Sequence, residues 1–289
     1  MSDINAGMGV SQLPRSLLFV PGSEERKVAK AFAESGADAV VVDLEDAVAV
    51  AMKDRARVMA LSALSAADQA GPARMIRLNG ADTPHFAADI AAVATLDAGT
   101  IDAVVVPKAT SEAVAAVAEV GLPVIAIVET AVGLRRAYET ARSACVFALL
   151  LGSADLAAEL NLTRRPNRHA LLYPRSQLVV DSAAAAIAPP VDGVYENFRD
   201  AKGLEAEARY AHALGFGGKA CIHPAQVPVV NRAFSPSLEE IEWAHAVVDL
   251  DAAGAEEGRG AAALEGTLID AAVVRRASQI LSRAKGAST

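Results

Sequence analysis

The feature that most limits what this chain can become is an alternation repeated along most of its length. Short aliphatic runs, each as long as a buried strand, are followed by helix-like stretches. Arg15 to Val20 (RSLLFV) is the first run, closed by Pro21-Gly22. Ser23 is the expected N-cap of a helix that lasts to Glu34, before Ser35-Gly36. Asp38 to Val42 is the second strand, and Asp54 to Ala67 its helix. Arg74 to Leu78 precedes a helix from Pro84 to Ala94, and Ile101 to Val106 precedes one from Ser111 to Glu119. Pro123 to Val128 and Cys145 to Leu151 are the fifth and sixth strands. A polar, basic loop around Arg164, Arg165 and Arg168 interrupts the pattern before a long helix from Arg175 to Ile187. Val191 to Tyr195, a helix from Asp200 to Leu214 and Gly218 to Ile222 complete it.

Strands that alternate with helices pair in parallel, because the helix is the crossover. Eight such units predict a closed (β/α)8 TIM barrel over an open doubly wound sheet. The barrel is expected over residues 14–235. Residues 236–289 exceed what it needs and predict a C-terminal helical extension. Its helices are Ser237 to Asp251 and Leu268 to Ser282, joined by a mobile, Gly/Ala/Glu-rich connection from Ala252 to Gly266. Such an extension can cover the barrel as a lid or reach a neighbouring subunit.

Composition narrows the function classes. The 289 residues are 53% hydrophobic but only 4% aromatic, so aliphatic side chains and alanine must fill the core. A formal charge of −8 disfavours nucleic-acid and anionic-membrane partners, which recruit basic surfaces. Cys145 and Cys221 sit in apolar runs with no Cys/His cluster, so they read as small buried hydrophobes, without zinc or disulfide. Met1 to Leu13 lacks the basic start and apolar core of a signal peptide, and no run is long enough for a membrane helix. A cytoplasmic protein is expected.

Parallel barrels carry their chemistry where the strands end. Here those ends collect Asp43, Glu45, Asp46, Arg77, Asn79, Lys108, Glu129, Asp155, Asn197 and His223. Glu129 and Asp155 follow successive strands. Two carboxylates on one rim suit Mg2+, which takes one or two carboxylates plus water and substrate oxygens. The competing reading makes each a cap of the helix that follows it. Arg77 on the same rim adds a planar fork for a substrate carboxylate. Asp43, Glu45 and Asp46 are expected to hold the rim cations in place. Arg26, Lys27 and Lys30 form a basic patch on the first helix, which reads either as a phosphate site or as a solvated face. No Walker A sequence, Gly-x-Gly-x-x-Gly turn or Gly-x-Ser-x-Gly elbow is present, which disfavours nucleotide cradles and serine hydrolases.

Taken together, RSLLFVPG, VVVDLEDAV, IRLN, VVVPK, IVET, LLLGSADLA, YPRSQLVVDSAAA, GFGGKACIHPAQ and GTLIDAAVVRRASQIL run collinearly over residues 14–283. In that order they resemble the citrate lyase β-subunit-like family of the HpcH/HpaI aldolase superfamily, which includes malyl-CoA, β-methylmalyl-CoA and citramalyl-CoA lyases. The resemblance implies a TIM barrel, dependence on Mg2+ (with Mn2+ as a substitute) and reversible carbon–carbon cleavage of a 3-hydroxy-acyl-CoA thioester. It implies metal ligands at Glu129 and Asp155 and a substrate-carboxylate arginine at Arg77. The Gly152-Ser153-Ala154-Asp155 backbone would hold the keto acid. Arg26 and Lys30 would meet the CoA phosphates, with Phe19 close by and Ile222 and His223 along the thioester arm. Asp270 matches an acid that a neighbouring subunit contributes, which favours a homo-oligomer, a trimer above others. Its competing reading is a plain helix N-cap. Two departures bear on acyl specificity: Thr267 stands where relatives often carry Met, and Phe19 lacks a hydroxyl that some supply. Three alternatives to the lyase remain open: a citrate lyase β subunit acting on an acyl-carrier-protein thioester, an acyl-CoA thioester hydrolase, and a non-catalytic acyl-CoA-binding barrel.

Overall fold

The computed structural model of the chain describes residues 13–163, 169–256, 262–264 and 267–286. The expected basic loop at 164–168 and the first twelve residues lie outside that range. The chain divides into two compact units after Phe234.

The first unit is the barrel. Its strands are β1 (Ser16–Pro21), β2 (Ala39–Asp43), β3 (Ala73–Arg77), β4 (Ala103–Val106), β5 (Val124–Val128), β6 (Val146–Leu151), β7 (Val191–Asp192) and β8 (Gly218–Cys221). They pair in parallel in sequence order, and β8 returns to β1 to close the ring. The crossovers carry α1 (Glu25–Glu34), α2 (Lys53–Ala66), α3 (Phe86–Val93), α4 (Ser111–Ala118), α5 (Ala131–Arg135), α6 (Ala137–Ala141), α7 (Ser153–Glu159), α8 (Leu172–Ala184) and α9 (Ala201–Leu214). α10 (Val227–Phe234) ends the unit.

The strands divide their side chains by period two. Leu17, Ala39, Val41, Met75, Ala103, Val105, Ile125, Ile127, Ala148, Leu150, Val191 and Ala220 pack together inside the ring. Leu18, Val20, Val40, Val42, Val104, Val106 and Leu149 alternate with them and face the helices. Alanine and aliphatic residues fill both layers, as the low aromatic content requires. Burial pushes the Cys221 thiol up to about 12, so it behaves as a small apolar filler.

Several local expectations change. Ser23 does not cap α1: Glu24 holds the cap position, without a side-chain bond, and the helix begins one residue later. β7 is only two residues long instead of the expected Val191 to Tyr195, and its pairing with β8 stops at Asp192.

The second unit pairs α11 (Leu238–Glu256) with α12 (Ala271–Gly286), and between them β9 (Ala262–Leu264) runs antiparallel to β10 (Thr267–Ile269). The described part of the expected mobile connection is therefore helix and hairpin. Ala244, Val247, Ile269 and Ala277 form its buried core, with Trp243 packed against them.

Candidate active site

The inward parity of the barrel strands, carried one step beyond the packed interior, lands on polar residues. After Ala39 and Val41 it reaches Asp43. After Met75 it reaches Arg77, and after Ile125 and Ile127 it reaches Glu129. β6 delivers Gly152 in the same phase.

Asp43 and Arg77 are register partners on neighbouring strands. Arg77 donates to Asp43 through Nε and Nη2, both at 2.6 Å, and its Nη1 lies 2.6 Å from Glu45 Oε2. That last contact is an ion pair without hydrogen-bond alignment, since Glu45 Oε2 is buried with no bonded partner. Asp46 sits further out, at 3.8 Å from Nη1. One guanidinium thus serves three carboxylates. Burial of Arg77 would lower its pKa, and the bonds to Asp43 together with the charges of Asp43, Glu45 and Asp46 more than reverse that. Glu45 is the poorly compensated member: burial pushes its carboxyl up to about 8, against the lowering charge of Arg77. The Phe19 ring lies under the guanidinium, 5.4 Å from Cζ to the ring centre.

Lys53 anchors this loop from below. Its buried ammonium donates to the carbonyls of Leu44 and Glu45, both at 2.7 Å. Sequence reasoning missed this residue. It lies eight positions beyond Glu45, in the first turn of α2, and nothing in its neighbours marks it.

Glu129 is nearly fully buried, and its Oε1 accepts the backbone N–H of Lys108 at 2.7 Å. Lys108 reaches that position with φ +45°, a left-handed conformation that costs a non-glycine residue about 1 kcal/mol. Burial pushes the Glu129 carboxyl up to about 7, opposed by the Lys108 N–H bond and raised further by the charge of Asp155. Gly152 is required beside it. A Cβ there would collide with Glu129 Cβ and stand 2.7 Å from Glu129 Oε2.

The capping alternative fails for both carboxylates. Thr130 caps α5 by accepting from Gly133 N at 2.9 Å, and Gly152 holds the cap position of α7. Asp155 lies exposed in the first turn of α7. The donor set fits a hard divalent cation: all oxygen, on one rim, with a buried carboxylate destabilised by burial and by a second carboxylate. Among the described residues no cluster of three or more His, Cys, Asp or Glu could hold a metal, so a cation on Glu129 and Asp155 would need water and substrate oxygens beside them.

Other candidates take different places. Asn79 is buried and donates to Asp89, a structural bond. Asn197 accepts from Arg199 N in a turn. His223 caps the short turn after β8 and stacks on Phe198 at 4.8 Å, with Ile222 exposed beside it. Arg26 and Lys30 are exposed on α1, and Lys30 pairs loosely with Glu34 at 3.6 Å. Ser153 and Ala154 open α7. Asp270, in the second unit, caps α12: its Oδ1 accepts from Ala272 N at 2.9 Å and Val273 N at 3.0 Å. No helix among the described residues is long and apolar enough to cross a membrane.

The chain is similar to known proteins along most of its length. The model of a family described as HpcH/HpaI aldolase/citrate lyase matches residues 15–224. A (3S)-malyl-CoA thioesterase of Cereibacter sphaeroides is 38% identical over 275 residues, 94% of each chain. The citrate lyase subunit beta of Leuconostoc mesenteroides is 33% identical over 292 residues, 96% of this chain and 95% of its own. Among solved structures, the protein CitE of Mycobacterium tuberculosis in complex with magnesium, acetoacetate and coenzyme A superposes with a TM-score of 0.78. It is 35% identical, covering 94% of this chain and 98% of that one.

Proposed function

Because the chain belongs to the HpcH/HpaI aldolase/citrate lyase family, we propose that it is a Mg2+-dependent carbon–carbon lyase of 3-hydroxy-acyl-CoA thioesters of the malyl-CoA, citramalyl-CoA or citryl-CoA type. One observation carries the reading: Arg77, the buried Glu129 and Asp155 follow three different strands on one rim, and burial and the charge of Asp155 raise Glu129 more than the Lys108 N–H and Arg77 lower it.

Glu129 and Asp155 would hold the metal. Bound there, Mg2+ supplies positive charge to the oxygens of the keto-acid half. Arg77 donates two of its five N–H groups to Asp43 and meets Glu45 only as an ion pair, which leaves N–H groups on Nη1 and Nη2 for a substrate carboxylate. Asp43 and Glu45 fix the guanidinium plane, and Phe19 supports it from below. In cleavage, the bond between the hydroxyl-bearing carbon and the thioester α-carbon breaks. Its electron pair stays on the α-carbon as an enolate, and the hydroxyl passes its proton to solvent water as it becomes the keto-acid carbonyl. A proton from Asp270 of a neighbouring subunit completes the acyl-CoA product, and in condensation the same carboxylate acts as base. Both cap bonds of Asp270 fall on Oδ1, which leaves Oδ2 for that task. Arg26 and Lys30 follow β1, and Ile222 and His223 follow β8. The closing pair β1–β8 brings those segments to one stretch of rim, where a CoA arm and its phosphates would lie.

A second reading is hydrolysis, in which water adds to the thioester carbonyl and CoA leaves as the thiol. The identity to (3S)-malyl-CoA thioesterases favours it. Product analysis separates the two. Purified protein is given malyl-CoA, β-methylmalyl-CoA, citramalyl-CoA and citryl-CoA with Mg2+, beside EDTA and Asp155→Ala controls. Keto acid with an acyl-CoA product supports the lyase. Free CoA with a hydroxy acid and no keto acid supports the hydrolase. No turnover of any thioester overturns both.

A further inference from the structure

Outside the barrel, where β7 and β8 meet α8 and α9, lies a group of ions that the reaction does not use. Asp192 and Lys219 are both fully buried, and Arg175 nearly so. Arg175 donates to Asp192 through Nε at 2.9 Å and Nη2 at 3.3 Å. The Lys219 ammonium spends its three donors on Asp192 Oδ2 at 2.6 Å, Glu207 Oε1 at 2.7 Å and the Gly193 carbonyl at 2.7 Å. Two cations face two anions. Burial alone would raise the Asp192 pKa, yet the charges of Lys219 and Arg175 hold it below its ordinary value. A buried, neutral and satisfied network of this kind contributes geometry more than stability, since an apolar replacement of equal volume often does as well.

The carbonyl bond indicates what geometry is fixed. β7 joins β6 through one register pair, Leu150 with Val191, and the regular pairing stops at Asp192. Just past that pairing, the Lys219 ammonium holds the Gly193 carbonyl. On its other side Gly193 abuts the β6–α7 turn. A Cβ on Gly193 would collide with Ser153 Oγ and stand 2.6 Å from the Leu151 carbonyl. Ser153 opens the turn that carries Asp155.

We propose that Lys219 is a positioning residue of the active site: its ammonium pins the Gly193 carbonyl against the Ser153 turn and so sets where Asp155 stands on the rim. The functional consequence rests on Asp155 being a metal ligand; the pin itself does not.

The test compares full-length wild type, Lys219→Met and Gly193→Ala. Lys219→Met removes the pin and leaves Asp192 with Arg175. Gly193→Ala pushes on the Ser153 turn from the other side without touching the ions. Amide hydrogen exchange is followed over residues 151–157, with residues 39–43 of β2 as control, and Mg2+ affinity is measured by calorimetry. Both variants are expected to exchange faster at 151–157 with the control unchanged. Both are also expected to weaken Mg2+ binding about 10-fold, the low end of what supporting residues of metal ligands cost. A purely structural role for Lys219 would raise exchange at both segments alike. Folded Lys219→Met with wild-type exchange at 151–157 and wild-type Mg2+ affinity overturns the proposal. If Lys219→Met does not fold, the charge-balanced double variant Asp192→Asn/Lys219→Met, which keeps Arg175 with Glu207 but lacks the pin, decides by the same two measurements. If wild type binds no Mg2+, the reading of Asp155 fails, and exchange at 151–157 alone decides whether the pin exists.

Discussion

Asp43 and Arg77 end two neighbouring strands in register and meet through two hydrogen bonds of 2.6 Å each. The fork fixes the guanidinium plane before any substrate arrives. Lysine carries the charge but not the plane, so Arg77→Lys tests geometry separately from charge. Loss of a charge-assisted pair costs about 1.5–3 kcal/mol, which predicts a fall in kcat/KM of about 10- to 100-fold. Most of it is expected in KM for the keto acid, read in the condensation direction. Asp43→Asn keeps the shape but loses the charge, and it should give a smaller effect of the same kind.

Gly152 is needed as glycine because of Glu129, not because of its own backbone. Its φ is −80°, which any residue adopts, but a Cβ would strike the Glu129 side chain. Gly152→Ala should therefore displace the buried carboxylate. Mg2+ affinity is expected to fall about 10- to 100-fold, the range found when a ligand's support is lost. Thermal denaturation should move by no more than an ordinary small overpacking, about 1–3 kcal/mol. Unchanged Mg2+ affinity in the folded variant would remove Glu129 from the ligand set.

The fold could be read from the chain because hydrophobic periodicity and punctuation are local signals, and eight repeats of one unit leave few architectures. The rim was readable for a related reason. Strand runs must end, and Arg77, Glu129 and Asp155 stand where three of them do. Strand parity was a further signal: counting in twos from Val41, Met75 and Ile127 leads directly to Asp43, Arg77 and Glu129. What stayed hidden depends on tertiary distance. Lys53 and Lys219 are ordinary helix and strand residues in the sequence, and only the folded chain brings them to the carbonyls they hold. A cap was misread where a neighbour takes the position instead, as Glu24 does beside Ser23.

Two raised carboxyls make the pH dependence of the metal-free protein unusual. Glu129 is pushed up to about 7 and Glu45 to about 8, both mainly by burial, from an ordinary value of 4.5. Between 4.5 and those values the folded chain binds more protons than the unfolded one. Stability from these groups is therefore fully present below the ordinary carboxylate range and is lost as pH rises through 7 and then 8. The melting temperature without metal should fall from about pH 4.5 to about pH 8 and level off above that, and Glu45→Gln should flatten the fall. A melting curve that is flat with pH in wild type would contradict the burial of these charges.

The same proton couples to the metal. Below the Glu129 value of about 7 the carboxyl holds a proton that Mg2+ must displace. Mg2+ affinity is thus expected to rise with pH up to about 7 and to level off above it. The displaced proton is measurable directly, because the heat of binding at low pH will vary with the ionisation enthalpy of the buffer. Asp155→Ala separates the two carboxylates in this experiment. Its removal deletes a ligand, which should weaken binding by about 10-fold or more. It also deletes a charge that raises Glu129, so proton release should persist but shift to lower pH. Glu129→Gln, by contrast, should abolish the proton release along with most of the affinity. Equal behaviour of the two variants would mean that Glu129 is not the titrating ligand, and that the buried carboxylate of β5 serves the barrel rather than the metal.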